Sequence, residues 1–213
     1  MLAALSNKGN KSNRTIGDFM TDNTKQQEAI KLIKDFCLPT SSTNLFEMAN
    51  ELMKLPNIPM ISAHHHPMIA AIIVTAYKNK TGELQEDDIV KAIKRGASIP
   101  AGFCAFYGSD GAALACGIAL SIILKTTHLA DKDRQRSLTH MLTSRSLAAI
   151  ANNVGNRCCK RSTFDVLNTV NQYLREVLSV ELETTYPASQ KCRFSNNFEL
   201  CNKQSCRYYL EEA

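Results

Sequence analysis

From Thr24 onward the apolar residues of this chain recur every three or four positions, the spacing of one face of a helix. Ala29, Ile30, Leu32, Ile33 and Phe36 share such a face, and Pro39 ends the run. Leu45, Phe46, Ala49, Leu52 and Met53 predict a second helix over Thr43 to Leu55, with Pro56 as its stop. Pro56 to Met60 reads as an extended linker. Pro67 suits the first turn of a third helix running to Lys80, because its missing N–H would be unpaired there in any case, and Gly82 closes it. A shorter helix fits Asp87 to Arg95 and ends at Gly96. Asp110 to Leu124 is apolar nearly all round, which predicts a buried central helix. Its small residues Ala113, Gly117 and Ser121 form a stripe against which another helix can come close. Two further amphipathic helices fit Ser137 to Asn153 and Ser162 to Val180. No β-branched stretch alternates convincingly and there is no internal repeat, so the expected fold is all-α, a multi-helix globular domain.

Composition adds boundaries to that pattern. Residues 1–23 are rich in Asn, Ser, Thr and Lys without apolar periodicity and read as a flexible polar leader. The helical domain spans 24–187. Residues 188–213 change character and read as a small cysteine-ligated subregion packed on the same domain. The opening apolar run, Met1 to Leu5, is shorter than the roughly 7–15 residues of a secretory signal. The longest internal apolar runs, Pro67 to Tyr77 and Gly111 to Leu124, fall short of the ~18–20 residues a bilayer needs. The expectation is a cytoplasmic protein with no membrane contact. A net charge of +5 is too mild for a nucleic-acid-binding surface. Eight cysteines in 213 residues are the abnormal quantity, and in a reducing compartment they point to metal ligands or reactive thiols.

Four segments carry candidate chemistry. Cys192, Cys201 and Cys206 lie close enough in sequence to converge on one zinc ion or iron–sulfur cluster, although three thiols leave a fourth ligand to be supplied. Cys158 and Cys159 sit between Arg157 and Lys160-Arg161, just ahead of a helix. That setting should depress a thiol pKa, and it offers either the missing ligand or a redox-active thiol. Adjacent side chains cannot both easily enter one tetrahedral shell, so one of the pair is expected to ligate while the other points away. The glycine-rich run from Ala101 to Gly111 contains Gly102, Cys104, Gly108 and Asp110. It reads as a tight turn able to hold an anion or a bound cofactor, with Cys104 as a candidate nucleophile. His64-His65-His66, at the mouth of an apolar helix, offers ligands or an acid/base pair, with His65 and His66 as the candidates expected to share a pocket with Cys104. Cys37 and Cys116 fall on apolar helical faces and read as core residues, and His128 and His140 as structural or surface residues.

Taken together, these segments resemble an uncharacterised prokaryotic family, the domain of unknown function numbered five-seven-one-four. The resemblance runs from Ile58-Pro59-Met60 and the triple His through Gly102-Phe103-Cys104-Ala105-Phe106-Tyr107-Gly108, Gly155-Asn156-Arg157-Cys158-Cys159-Lys160-Arg161 and Cys192-Arg193-Phe194-Ser195 to Cys206-Arg207-Tyr208-Tyr209. It covers roughly residues 55 to 210. Relatives often carry a cysteine where this chain has Asp110. The resemblance implies a place beside S-adenosylmethionine-dependent enzymes. The chain lacks the strand, Gly-rich loop and helix start of such a methyltransferase. The expected function is a cysteine-ligated metal or iron–sulfur protein with a redox or accessory role next to such an enzyme. The alternatives are a helical binding module with a structural zinc, and a metal-free thiol enzyme.

Overall fold

The computed structural model describes residues 23–183 and 191–210. The expected leader, but for Asn23, lies outside the described residues, as do residues 184–190, at the expected start of the C-terminal subregion. The chain is all-α, as its periodicity predicts: α1 (Asn23–Cys37), α2 (Leu45–Met53), α3 (His65–Thr81), α4 (Glu86–Ala97), a single turn α5 (Phe103–Phe106), α6 (Gly111–Ile123), α7 (Asp133–Asn152) and α8 (Cys159–Leu178). Among the described residues there is no strand, only one isolated bridge between Cys192 and Tyr209, and no helix is long and apolar enough to cross a membrane.

The ends of the helices follow from local chemistry. Asn44 precedes α2 with an extended backbone, and its side chain accepts from the N–H groups of Phe46 and Glu47. The Asp88 carboxylate accepts the Gln85 N–H at the start of α4. Gly82 takes φ 72° after α3, the left-handed turn that favours glycine and lets its N–H reach the Lys78 carbonyl. Asp110 caps α6 through the Ala112 N–H at 2.8 Å.

Helices α3 and α6 form the centre. Helix α3 contacts α1, α2, α4, α6 and α8, while α6 also meets α4, α7 and α8. Both are apolar on nearly every side, which is what a helix enclosed by others requires. Met68 to Val74 are wholly buried. The small-residue stripe does what its spacing predicts: a Cβ on Gly117 would lie 2.2 Å from Thr143 Oγ1 on α7. Cys37 and Cys116 are fully buried core residues, and His128 and His140 are exposed.

Two boundaries differ from the sequence reading in a way that matters for the site. Helix α3 begins at His65 rather than at Pro67, so His65 and His66 occupy its first turn. Helix α8 begins at Cys159, three residues earlier than Ser162, with Cys158 as the residue before it. The Cys158 backbone is extended (φ −147°) and its sulfur accepts the Arg161 N–H at 3.4 Å. A thiol here takes the place that Ser or Asp usually fills.

Candidate functional site

The turn from extended to helical backbone between Cys158 and Cys159 sends the two side chains into different cavities. Cys158 lines a small, aromatic-walled cavity of about 20 Å³ together with Cys192, Cys201 and Cys206. Cys159 lines a larger cavity of about 320 Å³ with Cys104, His64, His65, His66, Asp110 and Arg157. Lys160 follows the pair, almost wholly buried, with Nζ donating to the carbonyls of Met53 (2.9 Å) and Ile58 (3.3 Å) and lying 4.2 Å from the Phe194 ring centre.

The small cavity is built by the C-terminal segment folding back onto the start of α8. The Cys192 N–H donates to the Tyr208 carbonyl at 2.6 Å. Tyr208 is buried against Phe164 of α8, ring centres 5.1 Å apart, and its hydroxyl donates to Asp165 at 2.8 Å. Asp165 also accepts both bonds from Asn153 and pairs with Arg207. Asn202 docks on Gly155, whose missing Cβ would fall 1.6 Å from the Asn202 amide nitrogen. The Asn202 side chain accepts the Asn156 N–H, and the Asn156 side chain donates to the Leu200 carbonyl. These contacts place four sulfurs from two distant stretches around one space. Cys192 is electrostatically coupled to Cys158, Cys206 and Cys201, and Cys158 to Cys206. Three of the four sulfurs accept a backbone N–H at 3.4 Å: Cys158 from Arg161, Cys192 from Phe194 and Cys201 from Lys203. Hydrogen bonds of this kind to sulfur stabilise a thiolate.

The larger cavity gathers residues from the starts of α3, α5, α6 and α8. The Nε2 end of the His66 ring packs against Gly111, and its Nδ1 is 3.3 Å from the Ile99 carbonyl. His65 Nδ1 lies 3.2 Å from the Ser62 carbonyl, and His64 Nδ1 2.7 Å from that of Asn57. A carbonyl can only accept, so these contacts favour the proton on Nδ1; at His65 the Ser62 hydroxyl also lies 3.3 Å from Nδ1. Burial holds the His65 pKa well below its usual value, with the Lys160 charge adding to the effect, and burial brings His66 down to about 4. Both rings are neutral at pH 7. Gly102, in the left-handed conformation at φ 76°, and Asp110 line this cavity, whereas Gly108 is not among its lining residues.

The close seating of His66 makes Gly111 a sharp test of how the cavity is walled. A Cβ there would stand 2.2 Å from Nε2 and 2.4 Å from Cε1 of a ring that is itself buried and tethered. Gly111→Ala should therefore cost about 1–3 kcal/mol as an overpacking change. In a thermal melt that is a fall of roughly 2–4 °C per kcal/mol for a chain of this size. An unchanged midpoint would mean the ring is free to move aside.

One sequence expectation is overturned here. The thiols of Cys158 and Cys159 are not depressed by their cationic neighbours; burial outweighs those charges and raises both, Cys159 to about 12. Arg157 lines the larger cavity and hydrogen-bonds Cys104, whose own pKa is raised by burial and by Asp110. Among the described residues, no group of three or more His, Cys, Asp or Glu side chains stands ready to hold a metal ion. Sequence reasoning missed Asp165 and Asn202, which position the cysteines without carrying chemistry themselves.

Residues 33–209 match the family of unknown function DUF5714, and the chain belongs to it. No curated protein and no solved structure matches it.

Proposed function

We propose that the chain is a cysteine-ligated metalloprotein in which Cys158, Cys192, Cys201 and Cys206 close on one ion. The observation that carries this reading is the backbone N–H donated to three of these four sulfurs, around a cavity they share. Protonated thiols gain little from such donors, and thiolates gain much. Raised thiol pKa values argue against a free nucleophile and fit sites where the ion itself displaces the protons. A space of about 20 Å³ has room for roughly one small particle, which favours a single ion over an iron–sulfur cube. Closing the shell requires the sulfurs to turn inward from their present hydrogen-bonded positions.

Lys160 and Arg161, both electrostatically coupled to Cys158, offset the negative charge of a four-thiolate shell. A site with four protein ligands and no open position is of the structural type. Here it would pin the C-terminal segment to α8 and so hold the wall of the larger cavity. Iron in the same shell would add one-electron redox chemistry.

Elemental analysis of full-length protein prepared anaerobically tests this. The expected result is one ion in this shell per chain, lost in Cys201→Ser. Colourless protein identifies zinc, and coloured protein identifies iron. Unchanged metal content in both Cys201→Ser and Cys158→Ser would overturn the four-cysteine site.

A further inference from the structure

The larger cavity shares no lining residue with the four-cysteine site, and its walls are of a different kind. We propose that it binds a small organic anion that also carries hydroxyl groups. Arg157 and Lys25 would hold the anionic group, and the imidazoles of His64 and His65 would accept from the hydroxyls. The proposal does not rest on the four-cysteine reading.

Charge is the first argument. Helices α3, α6 and α8, of 17, 13 and 20 residues, all begin at this cavity, and His65, Ala112 and Cys159 from their first turns line it. Each such start carries roughly half a positive charge. None of the three has an acidic residue in its first turn to offset it. Arg157 and Lys25, both exposed, add two full charges to the lining. Among the described lining residues the one carboxylate, Asp110, is engaged in capping α6. Cys104 and Cys159 add no negative charge at neutral pH, because burial raises both thiols. Such a space repels a cation and draws in an anion.

The imidazoles supply the second. His64 and His65 are 5% and 1% exposed and both line the cavity, yet the Nε2 atom of each is buried without a hydrogen-bond partner. A bare buried polar atom is costly and calls for an explanation. The Asn57 carbonyl, 2.7 Å from His64 Nδ1, and the Ser62 carbonyl, 3.2 Å from His65 Nδ1, can only accept. They favour the proton on Nδ1 and leave Nε2 as the acceptor. What the two rings lack is therefore a donor, and a ligand hydroxyl is one.

Size and the rest of the wall set the ligand's class. A volume of about 320 Å³ lies at the low end of small-molecule sites. Phe103, Ile61 and Pro59 give apolar surface for a short carbon chain. Phe103 is held by stacking on Tyr107, ring centres 4.6 Å apart. The molecule that fits is a hydroxylated carboxylate or phosphate ester of a few carbons.

Titration calorimetry on the full chain tests this. Glycerol 3-phosphate and glycerate carry both kinds of group, inorganic phosphate and acetate the anion alone, and glycerol the hydroxyls alone. At least one of the first two should bind, and which of them does so separates a phosphate ester from a carboxylate. It should bind about ten-fold or more tightly than its counterpart without hydroxyls, and more tightly than glycerol. Arg157→Gln and Lys25→Gln should each weaken it, Arg157→Gln by a similar factor. Both side chains are exposed, so these variants keep the test decisive if the buried His64→Phe, which should lose the preference for the hydroxylated probe, does not fold. The bound probe should also slow alkylation by iodoacetamide of Cys104, which is exposed and lines the cavity. No binding of either hydroxylated anion at millimolar concentration would overturn the proposal. So would binding that leaves Cys104 unprotected or is unchanged in both Arg157→Gln and Lys25→Gln, or phosphate or acetate binding as tightly as its hydroxylated counterpart.

Discussion

Metal-free, reduced protein should lose its fold on the alkaline side, with stability falling steeply above about pH 9. Burial raises the thiols of Cys37, Cys116 and Cys159 from 9.0 to about 12, and that of Cys192 to about 11. A group whose pKa is higher in the fold than in the unfolded chain supports the fold fully below the unfolded value. That support drains away as pH climbs towards the folded value. Each such thiol takes away about 1.4 kcal/mol per pH unit once the unfolded chain has ionised. The four together remove roughly 5.6 kcal/mol per pH unit up to about pH 11.

Lys160 acts the other way. Burial lowers its pKa from 10.5 to about 8, so between those values the unfolded chain binds the extra proton and stability rises with pH. One lysine contributes about 1.4 kcal/mol per pH unit, too little to reverse four thiols. Against a total stability of about 5–15 kcal/mol, the fold should be lost by roughly pH 11. Urea unfolding at pH 7, 9 and 10 with reductant present measures this. Cys116→Ala should flatten the decline, and the ion proposed for the four-cysteine site would flatten it further by turning Cys158 and Cys192 into thiolates beforehand. A stability that stays level from pH 8 to 10.5 would contradict the prediction.

What the sequence carried most faithfully was burial. The unbroken apolar run of α3 and the all-round apolar α6 announce central helices, because only enclosure on every side removes the need for a polar face. Pro39, Pro56 and Gly82 gave usable stops for the same local reasons that govern any helix end. The division of labour between Cys158 and Cys159 was half legible: adjacency alone says that they diverge. Which one faces which cavity depends on α8 starting at Cys159, and the basic residues around the pair gave no sign of that boundary.

Thiol acidity was misread because sequence shows the charges near a cysteine but not the solvent withdrawn from it. Arg157, Lys160 and Arg161 are all beside the pair, yet burial is the larger influence on both sulfurs. The bare Nε2 of His65 was out of reach for a related reason. It follows from which carbonyl lies behind the ring, and Ser62 qualifies only once the chain has turned into α3.

Asp165 shows the limit most clearly, because its partners Arg207 and Tyr208 lie more than forty residues away. Its carboxylate is wholly buried and accepts from Tyr208 and Asn153 while pairing with Arg207. Asp165→Ala strands the Tyr208 hydroxyl and the Asn153 amide, and should cost about 3–5 kcal/mol. For a chain of this length that lowers the melting midpoint by roughly 10 °C. The ion pair is not the main contributor. Arg207 is 55% exposed on its side chain, so solvent screens it, and burial leaves the Asp165 pKa raised despite all its partners. Double-mutant cycles separate the two contributions: coupling of Asp165→Asn with Tyr208→Phe should exceed its coupling with Arg207→Gln, which should stay below about 1 kcal/mol. Cys206 directly precedes Arg207 and Tyr208, so under the proposed four-cysteine reading Asp165→Ala should also weaken metal binding without touching a ligand. A stronger coupling to Arg207, or metal affinity unchanged in Asp165→Ala, would show that the C-terminal segment is held by something other than this buried carboxylate.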